Sequence, residues 1–124
     1  MRYMLVMGAA PEAWAEDEPA DDGVIDDWDR YTRALADAGV LVGGHGLDGA
    51  DAATTVRVRA GQRIVVDGPF AETKEHLIGY YVIDVDDLDV ALDWAARAPN
   101  ARIGSVEVRP VLPGSATDES LARS

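Results

Sequence analysis

The sequence contains no cysteine, only two histidines and one phenylalanine among its 124 residues. The absence of cysteine excludes disulfide bonds, a thiolate nucleophile and cysteine-ligated metal sites. Basic residues are also scarce, with 11 lysines and arginines against 23 acidic residues and a net charge of −12. Because nucleic-acid binding depends on neutralising phosphates with basic side chains, this balance argues against direct contact with DNA or RNA. It argues equally against anionic membrane surfaces.

The sequence also has no long hydrophobic run. The apolar stretch at residues 1–7 is too short for the core of a signal peptide or for a membrane span. We therefore predict a cytoplasmic protein. The length and the hydrophobic content of 48% fit one globular domain, which we place at residues 1–112. Residues 113–124 form a polar C-terminal tail, which we predict to be disordered.

The periodicity of apolar residues predicts four strands, two helices and a hairpin. The strands are expected at 2–7, 40–47, 77–85 and 105–111, the hairpin at 54–59 and 63–66, and the helices at 24–38 and 87–97. If the hairpin is treated as an insertion, the order is βαββαβ, the split βαβ pattern of an α+β domain. Two helices fit on one face of such a sheet.

Both predicted helices carry an apolar stripe and residues suited to cap their ends. The stripe of the first helix comprises Val24, Trp28, Tyr31, Leu35 and Ala38. Asp21 or Asp22 is expected to cap its start, and Gly39 its end. Asp86 is the expected N-cap of the second helix. The inner stripe of that helix is expected to comprise Leu88, Ala91, Leu92 and Ala95.

The strand at 77–85 is apolar on both faces, which a half-solvated sheet does not need. Alternation predicts one face with Leu77, Tyr81, Ile83 and Val85, and an opposite face with Ile78, Tyr80 and Val82. The two helices cover only one of these faces, so we predict a homodimer that buries the other. The hairpin is the alternative cover, but it is short and carries Arg57, Arg59 and Arg63.

The stretch from Asp67 to Leu77, which reads DGPFAETKEHL, resembles the signature of the DGPF-domain branch of the YCII-related family. Residues 2–5, 38–44 and 104–111 resemble the same family, so the resemblance covers about 1–112. It implies ferredoxin-like subunits that assemble as a dimeric α+β barrel.

The resemblance implies less about activity. Some relatives in the wider group handle lactones or chlorinated aromatic breakdown products, and DGPF proteins are often encoded beside extracytoplasmic-function sigma factors. Relatives are thought to use a histidine near the start of the first helix together with an aspartate. Residues 8–29 contain no histidine here, so this catalytic pair does not carry over.

His45 and Asp67 are the candidate catalytic residues. His45 lies between Gly44 and Gly46, where space beside an imidazole suits a general base near neutral pH. The alternative is a packed or solvated histidine at a strand end. Asp67 opens the signature turn, where its carboxylate either stabilises the turn through backbone N–H groups or serves as an acid in a pocket.

Tyr80, Lys74 and His76 are the candidate ligand-binding residues. Tyr80 offers a hydroxyl and an aromatic face but is equally suited to a dimer core. Lys74 could bind a carboxylate or phosphate, or lie in a solvated loop with His76. Two histidines and a carboxylate could in principle hold a metal, but no spacing demands it, and we predict no metal or other cofactor.

Two classes of function remain open from the sequence. The first is a small-molecule-binding or accessory protein without catalysis, linked to sigma-factor regulation by the family resemblance. The second is a cofactor-free isomerase or lyase that acts on a lactone-like or aromatic-derived substrate. The acidic segment at 12–29 is either a solvated face or a docking surface for a basic partner.

Overall fold

The structure, a computed structural model, describes residues 1–10, 22–68 and 75–115. The described elements, in chain order, are β1 (Arg2–Ala9), α1 (Asp22–Asp37), β2 (Leu41–Gly46), a short 3-10 helix (Ala50–Ala52), β3 (Thr54–Arg59), β4 (Gln62–Asp67), β5 (His76–Asp84), α2 (Leu88–Ala96) and β6 (Gly104–Pro110). This is the predicted order of strands, helices and hairpin.

Four strands form one antiparallel sheet in the order β2-β5-β1-β6. β1 occupies the middle of the sheet and pairs with both β5 and β6, although those strands follow it by many residues. The predicted fold class is therefore confirmed: the chain is an α+β protein with a ferredoxin-like split βαβ arrangement. β3 and β4 form a separate two-stranded sheet.

The core lies between the sheet and the two helices. Alternate residues of β1 are buried on this side, with Leu5 completely enclosed. Ile83 of β5 and Leu35 of α1 are also completely enclosed and belong to the same cluster. Burial of such side chains is the main source of stability in a domain of this size.

Helix α1 presents the predicted apolar stripe to the core through Trp28, Tyr31 and Leu35. The helix ends at Asp37, and Gly39 closes its C-terminal end as predicted: it adopts a left-handed φ of 74°, and Gly39 and the following residue donate N–H groups to carbonyls of the last turn. Ala38, predicted as part of the stripe, is instead exposed because the helix has already ended at residue 37.

Helix α2 differs from its predicted form at both its cap and its buried face. Asp87, rather than Asp86, is the N-cap, and its side chain accepts the N–H of Val90 at 3.0 Å. Ala91 and Ala95 are buried as predicted, together with a half-buried Trp94. The two predicted leucines of the stripe are each 46% exposed, because the helix contacts the core through its alanines. The exposed leucines are Leu88 and Leu92.

A β-bulge changes the predicted facing of β5. The register with β1 shifts between Met7 and Gly8, so that Gly79 pairs with Met7 and Leu77 with Gly8. As a result Ile78 packs against the core, and Leu77 is 49% exposed. Strict alternation predicts the reverse, with Leu77 on the face of Tyr81 and Ile83 and with Ile78 on the other face. That prediction is wrong because the bulge adds an extra residue to β5.

The hairpin formed by β3 and β4 closes through a two-residue turn. Ala60 and Gly61 both have positive φ values, 52° and 76°, as hairpin turns of this length require. The hairpin makes only sparse contacts with the four-stranded sheet. Its valines are largely exposed, with Val56 at 55% and Val58 at 62%. It therefore leaves the non-helical face of the sheet uncovered within the described chain.

Candidate functional site

A pocket of about 540 Å³ opens at the β2 edge of the sheet, beside α1. This volume falls within the range of small-molecule sites, roughly 300–1,000 Å³. The pocket surface is mainly apolar and aromatic. Its lining consists of Met7, Trp28, Thr32, Gly44, His45, Gly46, Leu47, Gly49, Ile78, Gly79, Tyr80 and Tyr81.

Glycines form the floor of the pocket. Gly44 pairs with Tyr81 and Gly46 pairs with Gly79, so these positions share the face of the sheet that meets α1. A Cβ at Gly44 or Gly79 would lie only 2.5 or 2.9 Å from a backbone oxygen of the neighbouring strand. At Gly46, by contrast, a Cβ would meet no atom within 4 Å. The missing side chain at Gly46 thus leaves the space above the floor open.

Aromatic rings form the wall. The rings of Trp28 and Tyr81 are stacked with 18° between their planes and 6.4 Å between their centroids. Tyr31 meets Tyr81 edge-on at 5.5 Å. The Thr32 hydroxyl and the Tyr81 hydroxyl share a hydrogen bond of 2.5 Å. The apolar wall therefore contains one polar pair able to orient a ligand.

Tyr31 supports this wall from the core side. Its hydroxyl donates to the carbonyl of Trp94 at 2.7 Å. Burial, followed by the nearby Tyr81, raises the pKa of Tyr31 well above its usual value, and the smaller effect of Arg97 opposes the shift. Tyr31 consequently stays neutral at physiological pH and acts as a structural residue.

His45 and Tyr80 form a hydrogen-bonded pair at the same edge. The two residues are register partners on β2 and β5, so their side chains share the sheet face opposite to Tyr81. His45 Nδ1 lies 2.9 Å from the Tyr80 hydroxyl oxygen. His45 is exposed and Tyr80 half-buried. An imidazole and a phenol in contact can pass a proton between them, which is the chemistry of a general acid–base pair.

The other predicted site residues lie elsewhere. Asp67 is exposed at the end of β4, where it pairs with Thr54, and it is not part of the pocket lining described above. His76 begins β5 opposite Ala9, also outside that lining. Lys74 falls outside the described residues. The structure thus brings His45 and Tyr80 together and shows no contact of either with Asp67 or His76 within the described chain.

Sequence reasoning missed most of the pocket wall. Trp28 was predicted to belong to the core stripe rather than to a ligand-stacking pair, and Met7, Thr32 and Tyr81 were not singled out for binding. The available signal was the pair of glycines two residues apart, Gly44 and Gly46. Such spacing removes side chains from one face of a strand, and the apolar stripe of α1 was the natural opposite wall.

No cluster of three or more histidine or acidic side chains able to hold a metal ion occurs in residues 1–10, 22–68 and 75–115. Neither helix in these segments has the length and apolarity needed to cross a bilayer.

The sheet order and the pocket define a class: a small ferredoxin-like α+β protein with an aromatic, glycine-floored pocket at one sheet edge. Comparison with known families makes this specific. The YCII-related domain matches residues 1–115, and the chain belongs to the YCII-related family. A similar chain, an uncharacterized protein of Rhizobium meliloti (strain 1021), is 46% identical over 101 residues, which is 80% of each chain.

Proposed function

We propose that this protein binds a small, largely apolar molecule in the glycine-floored pocket. The observation that carries the proposal is the open space of about 540 Å³ between Gly46 and the aromatic wall. Few polar groups line it, so apolar contact would supply most of the affinity and the polar pair Thr32–Tyr81 would fix the orientation. A cyclic compound with one hydroxyl or carbonyl group, such as a lactone or a phenol, has this chemistry.

Substitution of the two open glycines of β2 tests the proposal. A Cβ added at Gly43 or at Gly46 would have no atom within 4 Å, and neither glycine has a positive φ. Gly46 faces α1, whereas Gly43 pairs with Val82 on the opposite face. Gly46→Val should therefore fill the pocket. Gly43→Val is its matched control on the same strand, and light scattering checks that both variants keep the oligomeric state of the unmodified protein.

The measurement is a thermal-shift screen of lactones and phenols, followed by titration of hits with tryptophan fluorescence, because Trp28 lies in the wall. A ligand of this site should lose at least about tenfold in affinity with Gly46→Val. Its affinity for Gly43→Val should stay within about twofold. Equal loss in both variants, or no loss in either, would show that the ligand binds elsewhere.

Catalysis is the alternative function, and the His45–Tyr80 hydrogen bond favours it. In this alternative the protein is a cofactor-free isomerase or lyase acting on a lactone-like or aromatic-derived substrate. The substrate reaches around the edge strand β2, where His45 and Tyr80 also line the pocket, and His45 is the general base. His45→Ala should then abolish turnover and leave ligand affinity nearly unchanged. Asp67→Asn tests the other half of the predicted pair, and unchanged turnover in that variant would assign Asp67 to the turn.

We further propose that the protein is a homodimer that buries the non-helical face of its sheet. Met4, Val6 and Val82 share that face by register, and the hairpin does not cover it. Light scattering should give a dimer mass, and Val6→Lys should lower it to that of a monomer. A monomer mass for the unmodified protein at high micromolar concentration would refute the dimer.

The resemblance of residues 67–77 to the DGPF signature supports membership of that branch and, with it, a cytoplasmic accessory role beside an extracytoplasmic-function sigma factor. The charge of −12 supports contact with a protein rather than with DNA. Purified protein should therefore leave duplex DNA unbound at physiological salt. A salt-dependent shift of DNA at micromolar protein would contradict this role.

A further inference from the structure

A second cavity lies between α1 and the segment that follows α2, away from the glycine-floored pocket. Its volume is about 420 Å³. Three arginines line it: Arg30 from α1, Arg97 at the C-cap of α2, and Arg102 before β6. These are three of only 11 basic residues in a chain of charge −12. Such a concentration of one charge in one cavity is the feature that needs an explanation.

Two of the three arginines contact a neighbouring side chain. The guanidinium of Arg97 lies 4.2 Å from the ring centroid of Trp94, a cation–π contact. The guanidinium of Arg30 lies 3.5 Å from the carboxylate of Asp27, one turn earlier on α1. Both members of that ion pair are more than half exposed, so the pair contributes little and leaves most guanidinium donors available.

Among the residues that the structure describes, the rest of the cavity lining contains no further carboxylate. Its floor consists of the small residues Ala34, Ala96, Ala98 and Pro99, with the phenol of Tyr31. Three arginines against the single Asp27 leave the lining with a net charge of +2. Like charges gathered in this way repel one another unless an anion joins them.

Compensation of a helix dipole explains only part of the cluster. Cations are favourable at the C-terminal end of a helix, which accounts for Arg97 at the C-cap of α2 but not for Arg102, which lies beyond the last turn. It does not account for Arg30, which α1 contributes from the other side of the cavity. A guanidinium presents paired N–H donors that match the oxygens of a phosphate. A phosphate group near neutral pH carries about −1.5 to −2, which balances the lining better than one carboxylate does.

We propose that this cavity is an anion site that takes the phosphate group of a small phosphomonoester. The three guanidinium groups bind the phosphate oxygens, and the alanine floor accommodates the organic part. The cavity volume of about 420 Å³ exceeds what inorganic phosphate alone would fill, so the ester is the expected occupant.

Phosphorus NMR and calorimetric titration with phenyl phosphate test the proposal, with inorganic phosphate and sulfate as parallel arms. Phenyl phosphate should bind in the millimolar range or tighter, and more tightly than either inorganic anion. Arg97→Gln and Arg102→Gln should each weaken it at least about tenfold. Arg33→Gln is the matched control, because Arg33 is an exposed arginine of the same helix as Arg30 but does not line the cavity.

Three results would overturn the proposal. One is the absence of phenyl phosphate binding at about 20 mM. Another is an equal loss in Arg33→Gln, which would indicate general charge attraction. The third is equal affinity for phenyl phosphate and inorganic phosphate, which would leave the alanine floor without a role. Circular dichroism of each variant checks the fold, and Arg102→Gln keeps the test decisive if Arg97→Gln disturbs the end of α2.

Discussion

The four-stranded sheet and the β3–β4 hairpin treat similar side chains in different ways. In the sheet, Leu5 and Ile83 are completely buried against the helices. In the hairpin, Val56 and Val58 remain more than half exposed, although both strands have regular ladders. Alternation therefore specifies a strand, whereas burial requires a second layer, and within the described chain the hairpin has none.

The largest difference between the two regions should appear when apolar side chains are truncated. Leu35→Ala removes a completely enclosed side chain and should lower the free energy of unfolding by about 3 kcal/mol. Val58→Ala in the hairpin should lower it by about 0.5 kcal/mol or less. Urea denaturation measures both. A large loss of unfolding free energy for Val58→Ala would show that the hairpin is buried in solution, for example by packing against a partner.

Hydrogen bonds to backbone carbonyls should show a smaller contrast. Asn100 is completely buried, and its Nδ2 donates to the carbonyls of Gly8 (3.0 Å) and Ser105 (2.9 Å). Asn100→Ala should cost about 2 kcal/mol of unfolding free energy. Thr55, in the hairpin, donates to the Gly68 carbonyl at 2.7 Å, and Thr55→Val should cost about 1 kcal/mol or less. The reverse order in urea denaturation would contradict this comparison.

Substitutions that add or remove backbone strain should change the free energy of unfolding by about 1 kcal/mol, with opposite signs in the two regions. Gly39→Ala places a Cβ at a positive φ in the helix-bearing region and should destabilise the protein by about 1 kcal/mol. Ala60 already carries this strain at the hairpin turn, so Ala60→Gly should relieve about 0.5–1 kcal/mol. Amide exchange should show the stabilisation by Ala60→Gly in β3 and β4 alone. Slower exchange throughout the sheet would mean that the two regions unfold together.

The smallest effect concerns pH. Burial raises the pKa of Tyr31 above the value of about 10 expected in the unfolded chain. Its contribution to stability is therefore complete below about pH 10 and is lost as the pH rises further, because only the unfolded state ionises readily. Tyr31→Phe should flatten this decline, measured by urea denaturation between pH 8 and about pH 11. The hairpin contains no tyrosine, and its amide exchange should show no such dependence on Tyr31.

The fold was largely predictable because its signals are local. The alternation at 54–59 gives β3 with its observed bounds, and Gly39 ends α1 as expected. The side-chain facing of β5 was not predictable, since one extra residue at the bulge reverses Leu77 and Ile78. The inner face of α2 was not predictable either, because the helix packs against the core through its alanines and leaves its leucines exposed.

The candidate site was predictable only in part, because a pocket depends on which strands become neighbours. The glycines around His45 suggested empty volume, and the pocket does open there. The partner of His45 is Tyr80, a relation set by the pairing of β2 with β5. The joint role of His45 and Asp67 stays a prediction, since the two residues belong to different sheets.

The central position of β1 has a consequence for the order in which the fold can form. β1 precedes every other element in the chain, yet its two neighbours in the sheet are β5 and β6. During synthesis, β1 therefore has no strand to pair with in the sheet until most of the domain has left the ribosome. Contacts of such long sequence separation slow folding and keep an apolar strand accessible to aggregation or to chaperones. The hairpin, whose two strands are adjacent in sequence, can form long before the sheet that carries the pocket.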